Sequence, residues 1–300
     1  MKVGFALPQF HQQAFEVARV AEFARGIEAA GGASLWVGDR NLAAVHPKVG
    51  YGGQGTTIPA ELNPAADPFV VLGVAASATE HVLLGTHVLV APLYPPVQLA
   101  RSLTTIDLIS AGRLLAGFGV GWSPEEYEAA GLDFATRGAR MDELLRALEA
   151  IWTTDPAAYD GDLVSVPPHH APLKPARRPR PPLYLGGQAE RALRRVAQHG
   201  DGWLPFCVVP SWIDLDELER QRAFVDEAAR KADRDPDAID SVLRVNIDAG
   251  TSSEQVVTAL GRIRERTGIR HVMIDTMYSD ASVDQSLERA SEILDGVRKG

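Results

Sequence analysis

Residues 82–122, VLLGTHVLVAPLYPPVQLARSLTTIDLISAGRLLAGFGVGW, contain two apolar runs separated by one helical segment. The runs Val82–Val90 and Leu114–Phe118 are short and are bounded by polar residues, glycine or proline, which is typical of buried strands. The segment between them, from about Pro96 to Ile109, has the length and composition of a helix. A strand, a helix and a second strand in this order predict a parallel βαβ unit.

The same order of elements recurs along the rest of the chain. Six further apolar runs predict strands at Val3–Leu7, Leu35–Val37, Leu183–Leu185, Gly202–Leu204, Val242–Ile247 and His271–Asp275. Each is followed by a segment with helical spacing; in the first, Phe23, Ile27 and Ala30 fall on one face. Eight strand–helix units favour an α/β fold, a single-domain TIM (β/α)8 barrel over residues 1–300, rather than an open sheet.

Composition and charge exclude several classes of protein. Hydrophobic residues make up 45% of the 300 residues and charged residues 23%, as in an ordinary globular enzyme. The formal net charge is -9 and no long basic run occurs, so nucleic acid is not an expected partner. Cys207 is the one cysteine in the sequence, which excludes an internal disulfide and a cysteine-cluster metal site.

The sequence shows no membrane or export signal. No uninterrupted apolar stretch reaches the ~18 residues that a membrane-spanning helix needs. The first apolar run stops at Pro8 and is followed by polar Gln9, so it is interpreted as a strand and not as a signal peptide. We therefore expect a cytoplasmic enzyme that acts on a small molecule, without a membrane partner.

Two insertions interrupt the repeating pattern. Residues 41–66 are rich in glycine and proline and follow the second strand, which places them at the C-terminal end of the barrel, where such enzymes bind ligands. They are either a mobile lid or an ordinary long connection. Residues 155–182 are rich in proline and enter the fifth strand from the opposite end. Their basic residues are interpreted as a solvated surface: Lys174, Arg177, Arg178 and Arg180.

Two glycine-rich turns fall on the same predicted face of the barrel. The fourth strand ends in Gly117–Trp122, where missing Cβ atoms let the backbone approach a flat ligand closely. Its G-x-G-x-G spacing is not the G-x-G-x-x-G fingerprint of dinucleotide binding. The fifth strand ends in Leu185–Gln188 directly before a helix, a position where free N–H groups bind phosphate. The alternative interpretation of each stretch is a tight turn that binds no ligand.

Polar residues at other strand ends are the candidates for chemistry. Asp39 and Arg40 follow the second strand, where an acid and a base orient a polar ligand edge or transfer a proton; alternatively, they are surface charges at a strand end. His87 lies inside the apolar third strand and is either a buried core histidine or a functional group. The pair His169–His170 has no third ligand at useful spacing, so no metal site is predicted.

Taken together and in order, seven motifs resemble the bacterial luciferase-like superfamily. They are Trp36–Asp39, Leu84–Pro92, Gln98–Arg101, Thr105–Arg113, Gly117–Trp122, Pro182–Gly187 and Gly200–Trp203. They span nearly the whole chain, and the resemblance implies the eight-stranded barrel already indicated by the strand count. The Gly-Val-Gly-Trp ending of the fourth strand resembles the branch that uses the deazaflavin coenzyme F420; the other branch uses FMN and activates oxygen.

The resemblance also implies a cofactor site. It implies a non-proline cis peptide at His87–Val88, a bulge on which the deazaflavin ring rests. The implied contacts to the ring come from Asp39, Thr86, His87, Val88, Gly119, Gly121 and Glu126. The implied phosphate-binding turn consists of Gly186, Gly187 and Gln188. A homodimer is also a family expectation.

Two residues depart from the pattern of the F420 branch. Many relatives carry histidine where this chain has Arg40, and an arginine stays protonated, so a proton-relay role at this position is not carried over. Sugar-phosphate dehydrogenases of the family carry a glutamate where this chain has Trp122, which argues against a sugar-phosphate substrate. The expected substrate side is therefore Arg40, His87 and Trp122, with His87 as the group that moves a proton near neutral pH.

These features predict an F420-dependent oxidoreductase that transfers a hydride at C5 of the deazaflavin. The protein binds and orients the reactants while the cofactor supplies the redox chemistry. One alternative is an FMN-dependent monooxygenase with a separate reductase, because FMN also presents a ring and a phosphate. A second alternative is a barrel that binds a flavin without turning it over. The substrate remains open at this stage, because a fold does not identify one.

Overall fold

A computed structural model describes residues 1–53 and 55–300, and within them the strands form one closed parallel barrel with a separate hairpin. The strands are β1 (Lys2–Ala6), β2 (Ser34–Val37), β3 (Leu83–Thr86), β4 (Leu89–Val90), β5 (Leu114–Gly119), β6 (Ala157–Asp160), β7 (Ser165–His169), β8 (Leu183–Gly186), β9 (Gly202–Leu204), β10 (Phe206–Val209), β11 (Asp240–Ile247) and β12 (His271–Asp275). Strands pair in the order β1, β2, β3, β5, β8, β9, β11, β12 and back to β1. The predicted barrel is confirmed.

Two of the eight barrel strands are built from two pieces each. β4 continues β3 and pairs with β5, while β10 continues β9 and pairs with β11. The sequence predicted Val82–Val90 as one uninterrupted strand, but the ladder breaks between Thr86 and Leu89. The break contains a cis peptide at His87–Val88, which confirms the bulge that the family resemblance implied.

Helices surround the barrel and bury their apolar faces against it. They are α1 (Val20–Ala29), α2 (Pro68–Ala78), α3 (Pro96–Ile109), α4 (Pro124–Ala129), α5 (Arg137–Thr153), α6 (Glu190–His199), α7 (Leu215–Lys231), α8 (Ser253–Thr267) and α9 (Val283–Lys299). Local chemistry fixes their ends: α8 begins with a capping box between Ser252 and Gln255 and ends at Gly268 in the left-handed conformation. In the part of the chain that the structure describes, no helix is long and apolar enough to cross a membrane.

Large side chains fill the barrel itself, so the barrel is a packed core and not a pore. The inner cluster consists of Trp36, Leu115, Tyr184, Leu204, Val242 and Met273. At the N-terminal end the Trp36 indole donates to Ser34 Oγ at 2.7 Å, and Ser34 Oγ lies 2.8 Å from His271 Nε2. The barrel interior is therefore filled, and the C-terminal end is where enzymes of this fold bind ligands.

The second insertion contains regular structure that the sequence analysis did not identify. Strands β6 and β7 form an antiparallel hairpin within residues 155–182. Its turn is held from α5, because the Glu143 carboxylate accepts hydrogen bonds from the N–H groups of Leu163 and Val164 at 2.9 and 2.8 Å. Buried Val166 anchors the same hairpin to the core. Long-range contacts of this kind leave no periodic signal in a short proline-rich segment.

The basic group in this insertion is only partly a solvated surface. Arg177 and Arg178 are exposed, as predicted. Arg180, however, is paired with the carboxylates of both Glu149 and Asp201. Lys174 donates to two backbone carbonyls at the end of α5. The interpretation of all four charges as solvated was therefore wrong for Lys174 and Arg180, which tie the insertion to the barrel.

Candidate active site

The bulge between β3 and β4 shapes the C-terminal end of the barrel. Thr86 Oγ1 donates to the Gly117 carbonyl and accepts from the Gly117 N–H, both at 2.7 Å. A Cβ at position 117 would lie 1.8 Å from the Thr86 carbonyl oxygen, so only glycine fits there. The Thr86 side chain is thus used to join the bulge to β5, and its contact with a cofactor ring stays a prediction.

Three further glycines of the two turns, Gly119, Gly121 and Gly186, lie against the bulge or the strand that follows it. A Cβ on Gly119 or Gly186 would come within 2.6 or 2.8 Å of the Val88 side chain. A Cβ on Gly121, which has a φ of +69°, would meet Val90 at 2.6 Å. The glycines that the sequence suggested would admit a flat ligand therefore make room, first of all, for Val88 and Val90.

A buried arginine holds the bulge from the far side of the barrel. Arg244 on β11 donates to the His87 carbonyl at 3.1 Å and to Asn246 Oδ1 at 3.0 Å, and it forms an ion pair with Asp275. Burial lowers the pKa of Arg244, but the Asp275 carboxylate and other neighbours raise it by more, so the guanidinium stays charged. Sequence reasoning missed this group. The available signal was the alternation of polar residues in Val242–Ile247, which points Arg244 and Asn246 to one face.

His87 is a core residue rather than a proton carrier. Its side chain is buried, and its Nε2 lies 3.3 Å from the Pro205 carbonyl oxygen. Burial, followed by the charge of Arg244, lowers the pKa of His87 to about 3. The expectation that His87 moves a proton near neutral pH is therefore wrong, since its imidazole is neutral at pH 7.

Asp39 is the group at this end of the barrel that titrates near neutrality. Its Oδ2 accepts hydrogen bonds from the Val90 N–H at 2.8 Å and from the Tyr94 hydroxyl at 2.9 Å. Its Oδ1 is buried and has no hydrogen-bond partner among the described residues. Burial raises the pKa of Asp39 to about 6, and the nearby Glu126 carboxylate adds to the rise. An unpartnered carboxylate oxygen here fits a ligand N–H.

Arg40, Trp122 and Glu126 form a second cluster next to Asp39. The Arg40 guanidinium carbon lies 4.7 Å from the centre of the Trp122 ring, a cation–π contact. Arg40 Nη1 is 3.7 Å from Glu126 Oε1, and both side chains are buried. Glu126 also accepts from the Asn41 N–H at 2.9 Å. The structure thus brings the two predicted substrate-side residues Arg40 and Trp122 together, whereas His87 faces the core.

The turn after β8 presents backbone N–H groups at the same end of the barrel. The Gly187 carbonyl accepts from the Trp203 indole at 3.1 Å, and the Gln188 carbonyl accepts from Gln221 at 3.4 Å. In a trans peptide the N–H points opposite to the C=O, so the N–H groups of Gln188 and Ala189 point away from these partners. Ala189 caps α6 without a side-chain hydrogen bond. The helix N-terminus is therefore open to an anion.

The 41–66 insertion packs over this end of the barrel, as its position predicted. Tyr51 contacts the Trp122 ring edge-on, with the ring centres 5.4 Å apart. Leu62 is buried with Phe10 and Met277 in a separate small apolar cluster. Gln54, which falls in this insertion, lies outside the described residues. The insertion is a cover in the structure, and its opening stays a prediction.

The family follows from a comparison of the whole chain with known proteins. The family model described as luciferase-like monooxygenase matches residues 1–297. The chain belongs to this family. Its members include oxidoreductases and monooxygenases that use flavin-type cofactors.

Relatives of this luciferase-like protein have varied assignments. A Mycobacterium tuberculosis protein without an assigned function is 34% identical over 151 residues, which cover 50% of this chain and 52% of that protein. The chain thus spans about half the length of that relative. A phthiodiolone/phenolphthiodiolone dimycocerosates ketoreductase from Mycobacterium bovis is 30% identical over 77% of this chain and 61% of its own. The oxygenase component of an Acinetobacter baylyi flavin-dependent trigonelline monooxygenase is 29% identical, covering 56% and 46% of the two chains.

Solved structures with the same fold span both cofactor branches. Monooxygenase RslO1 from Streptomyces bottropensis superposes with a TM-score of 0.82 at 18% identity, covering 100% of this chain and 99% of its own. An F420-dependent secondary alcohol dehydrogenase, bound to an F420-acetone adduct, has a TM-score of 0.77 at 17% identity and 99% coverage of both chains. The FMN-bound oxygenating constituent of Pseudomonas putida 3,6-diketocamphane monooxygenase has a TM-score of 0.75 at 14% identity, covering 99% of this chain and 98% of its own. At these identities the superpositions show the fold alone.

Proposed function

We propose that this protein is a coenzyme F420-dependent oxidoreductase that transfers a hydride between the deazaflavin C5 and a small organic substrate. The observation that carries the proposal is the buried, unpartnered Oδ1 of Asp39 beside the His87–Val88 bulge. A deazaflavin ring offers the polar N–H edge that such an oxygen lacks. The Gly119–Trp122 ending of β5, which resembles the F420 branch, supports this cofactor over FMN.

Three features of the site fit the parts of such a cofactor. Asp39 would accept a hydrogen bond from the polar edge of the ring. The bulge, with Val88 at its tip and Glu126 nearby, would form the surface against the ring. The glycines at 119 and 121 have no side chains that would stand above this surface. The N–H groups of Gly187, Gln188 and the start of α6 would hold the phosphate.

The chain's own residues would then divide the work of catalysis. When bound, the deazaflavin supplies two-electron hydride chemistry. Asp39 fixes the ring and, with a pKa of about 6, changes its charge in the physiological range. Arg40 and Trp122 form the substrate side, and the 41–66 insertion excludes water from it. The proposal keeps the expectation of a cytoplasmic enzyme with a small-molecule substrate.

Reductases among the relatives support hydride transfer. The ketoreductase from Mycobacterium bovis, 30% identical over 77% of this chain, is named for the reduction of a carbonyl group. The alcohol dehydrogenase with the same fold is described as F420-dependent. Both carry out two-electron chemistry on an oxygen-bearing carbon without inserting oxygen.

An FMN-dependent monooxygenase with a separate reductase is the second candidate. The oxygenase component from Acinetobacter baylyi and the superposition with monooxygenase RslO1 favour it. FMN also carries a ring N–H and a phosphate, so Asp39 and the α6 turn would serve it equally well. The difference between the two candidates lies in which cofactor binds and in whether oxygen is consumed.

The decisive experiment is an anaerobic fluorescence titration of the purified protein with F420 and, separately, with FMN. We expect micromolar or tighter binding of F420 and much weaker binding of FMN. The opposite preference, together with oxygen consumption by the protein supplied with reduced FMN, would establish the monooxygenase. Binding of neither cofactor would show that the ring and phosphate assignments are both wrong.

An aspartate introduced at the start of α6 tests the phosphate site. In Ala189→Asp the new carboxylate would accept from the free N–H groups of the first turn, which adds about 1 kcal/mol to the free energy of unfolding. The same carboxylate would repel a phosphate, so we expect the Kd for F420 to rise at least about tenfold.

The phosphate-free deazariboflavin is the matched control ligand, because Ala189→Asp leaves the ring site intact. Its Kd should change less than about threefold, well below the effect of a lost charged contact. Equal weakening of both ligands, measured by the same titration, would mean that the substitution disturbs the whole site. Unchanged F420 binding would place the phosphate elsewhere.

A homodimer is part of the proposal, and α2 and α3 carry the surface that fits it. Val70 and Val74 on α2 and Val97 and Ile109 on α3 are exposed, with Val70 66% accessible. α2 is apolar on its outer face as well as its inner face, which is typical of a helix that is covered by a partner. We expect analytical ultracentrifugation to show a dimer that Val70→Lys/Val74→Lys converts to monomer, while Leu173→Lys, on the exposed second insertion, does not.

A further inference from the structure

One buried cation in the site has no hydrogen-bond partner in the part of the chain that the structure describes. The Arg40 side chain is 4% exposed, and its Nε, Nη1 and Nη2 atoms all lack an acceptor among the described residues. A guanidinium carries five N–H donors, and each one buried without an acceptor is costly. Arg244, at the same end of the barrel, donates from all three of its nitrogens. Arg40 is therefore arranged to receive acceptor atoms that the described residues do not provide.

The neighbours of Arg40 stabilise its positive charge but do not accept hydrogen bonds from its guanidinium. Glu126 Oε1 is 3.7 Å from Nη1, beyond hydrogen-bond distance, and the same oxygen already accepts from the Asn41 N–H. The Trp122 ring lies against the guanidinium at 4.7 Å and stabilises its charge through the ring face. These contacts favour a protonated arginine in a fixed orientation, with its N–H groups unused.

The shape of the missing partner follows from the guanidinium. Its N–H groups lie in one plane and match the two oxygens of a carboxylate in a bidentate pair. The presence of Glu126 does not prevent this, because one guanidinium binds two carboxylates at once elsewhere in the same protein. Arg180 is paired with both Glu149 and Asp201, with 2.5 Å between the paired atoms in each case.

We propose that the substrate carries a carboxylate, which Arg40 binds against Trp122 after the 41–66 insertion moves aside. This inference rests on the proposed function in one respect: the phosphate of the cofactor is assigned to the α6 turn, which leaves Arg40 for the substrate. Movement of the insertion is required because the guanidinium nitrogens are buried against Trp122, and Tyr51 of the insertion packs on the Trp122 ring. The substrate class is thus an organic acid with a reducible or oxidisable carbon near its carboxylate.

The test uses pairs of small molecules that differ in charge but hardly in shape. The two pairs are acetate with acetamide and benzoate with benzamide. Each compound is titrated calorimetrically into the purified protein, once without a cofactor and once with whichever of F420 and FMN the protein binds. We expect at least one carboxylate to bind roughly 10- to 100-fold more tightly than its amide, the range that a charged hydrogen-bonded pair supports. Absence of this preference in both pairs would overturn the proposal.

Variants of Arg40 assign the preference to this side chain. Arg40→Gln, which is shorter and polar but carries no charge, should reduce the preference to about one, while Arg40→Lys, which keeps charge but not the planar fork, should retain part of it. Arg25→Gln, which removes an exposed arginine on α1, is the matched control and should change nothing. A preference that survives in Arg40→Gln, with thermal unfolding like that of the wild type, contradicts the assignment.

The cofactor titration separates this inference from the proposed function. If Arg40→Gln loses affinity for the cofactor instead of for carboxylates, Arg40 belongs to the cofactor site and the inference is wrong. If the wild type binds neither F420 nor FMN but retains an Arg40-dependent preference for carboxylates, the proposed function fails while the carboxylate site stands.

Discussion

Replacing Gly117 by alanine is expected to lower the free energy of unfolding by about 3 kcal/mol or more. The new Cβ would lie 1.8 Å from the Thr86 carbonyl oxygen and 2.7 Å from a Leu204 methyl group. Thr86 has no freedom to retreat, because its hydroxyl bonds both the N–H and the carbonyl of residue 117. Either the bulge moves or β5 leaves the barrel ladder. Urea denaturation followed by circular dichroism measures the loss.

Gly261→Ala is the matched control for this substitution. Gly261 lies in α8, and a Cβ placed on it meets no atom of the described chain within 4 Å. Alanine is favoured over glycine in a helix, so we expect a gain of about 0.5–1 kcal/mol. Similar stability of the two variants would mean that the close approach of Thr86 and Gly117 does not exist in solution.

The second large effect is expected at Asp39, where function and stability oppose each other. Its pKa of about 6, against an ordinary value of 3.8, corresponds to roughly 3 kcal/mol of destabilisation once the carboxylate is ionised. The side-chain amide introduced by Asp39→Asn keeps an acceptor for Val90 and Tyr94 but carries no charge. We therefore expect the variant to be about 1–3 kcal/mol more stable than the wild type above pH 6.

The pH dependence of this gain has a definite sign. Because the folded protein holds the Asp39 proton more tightly than the unfolded chain does, wild-type stability falls as pH rises from about 4 to about 6. The difference between Asp39→Asn and wild type should thus vanish near pH 4, grow through this window and stay constant above it. Chemical denaturation at several pH values tests this. Asp160→Asn, which removes an exposed carboxylate, should show no such profile.

Asp39→Asn is also expected to weaken cofactor binding at least about tenfold at pH 7.5, because the unpartnered Oδ1 would be replaced or neutralised. In the wild type the affinity should fall as pH drops below about 6, when the carboxylate becomes protonated. A variant that is stabilised and still binds the cofactor fully would show that Oδ1 faces something other than the ring.

The barrel could be predicted from the sequence because its signals are local and repeated. Each apolar run and each helical stripe can be recognised within about a dozen residues. Eight strand–helix repeats are compatible with few topologies. The bulge was reachable only through the family resemblance. Nothing in the run Val82–Val90 alone shows that the strand breaks after Thr86.

The site was harder to predict because its properties depend on burial and on distant residues. His87 has the chemistry of a neutral-pH acid, and only its packing under Arg244 and Pro205 lowers its pKa to about 3. Gly119 and Gly186 suggested a ligand surface, but their nearest neighbour is Val88 from another strand. Asp39 and Arg40 were selected correctly as polar residues at a strand end. Their unpartnered atoms became visible only in three dimensions.

The arginine that holds the bulge has a consequence for how new specificities arise on this scaffold. The bulge packs against β5, β8 and β11 at Gly117, Gly186 and Arg244, whereas the proposed substrate side comes from Arg40, the 41–66 insertion and the start of α4. Selection on the insertion would thus leave the proposed cofactor platform undisturbed. We expect a chimera that exchanges this one segment between two family members to exchange their substrates while keeping the recipient's cofactor.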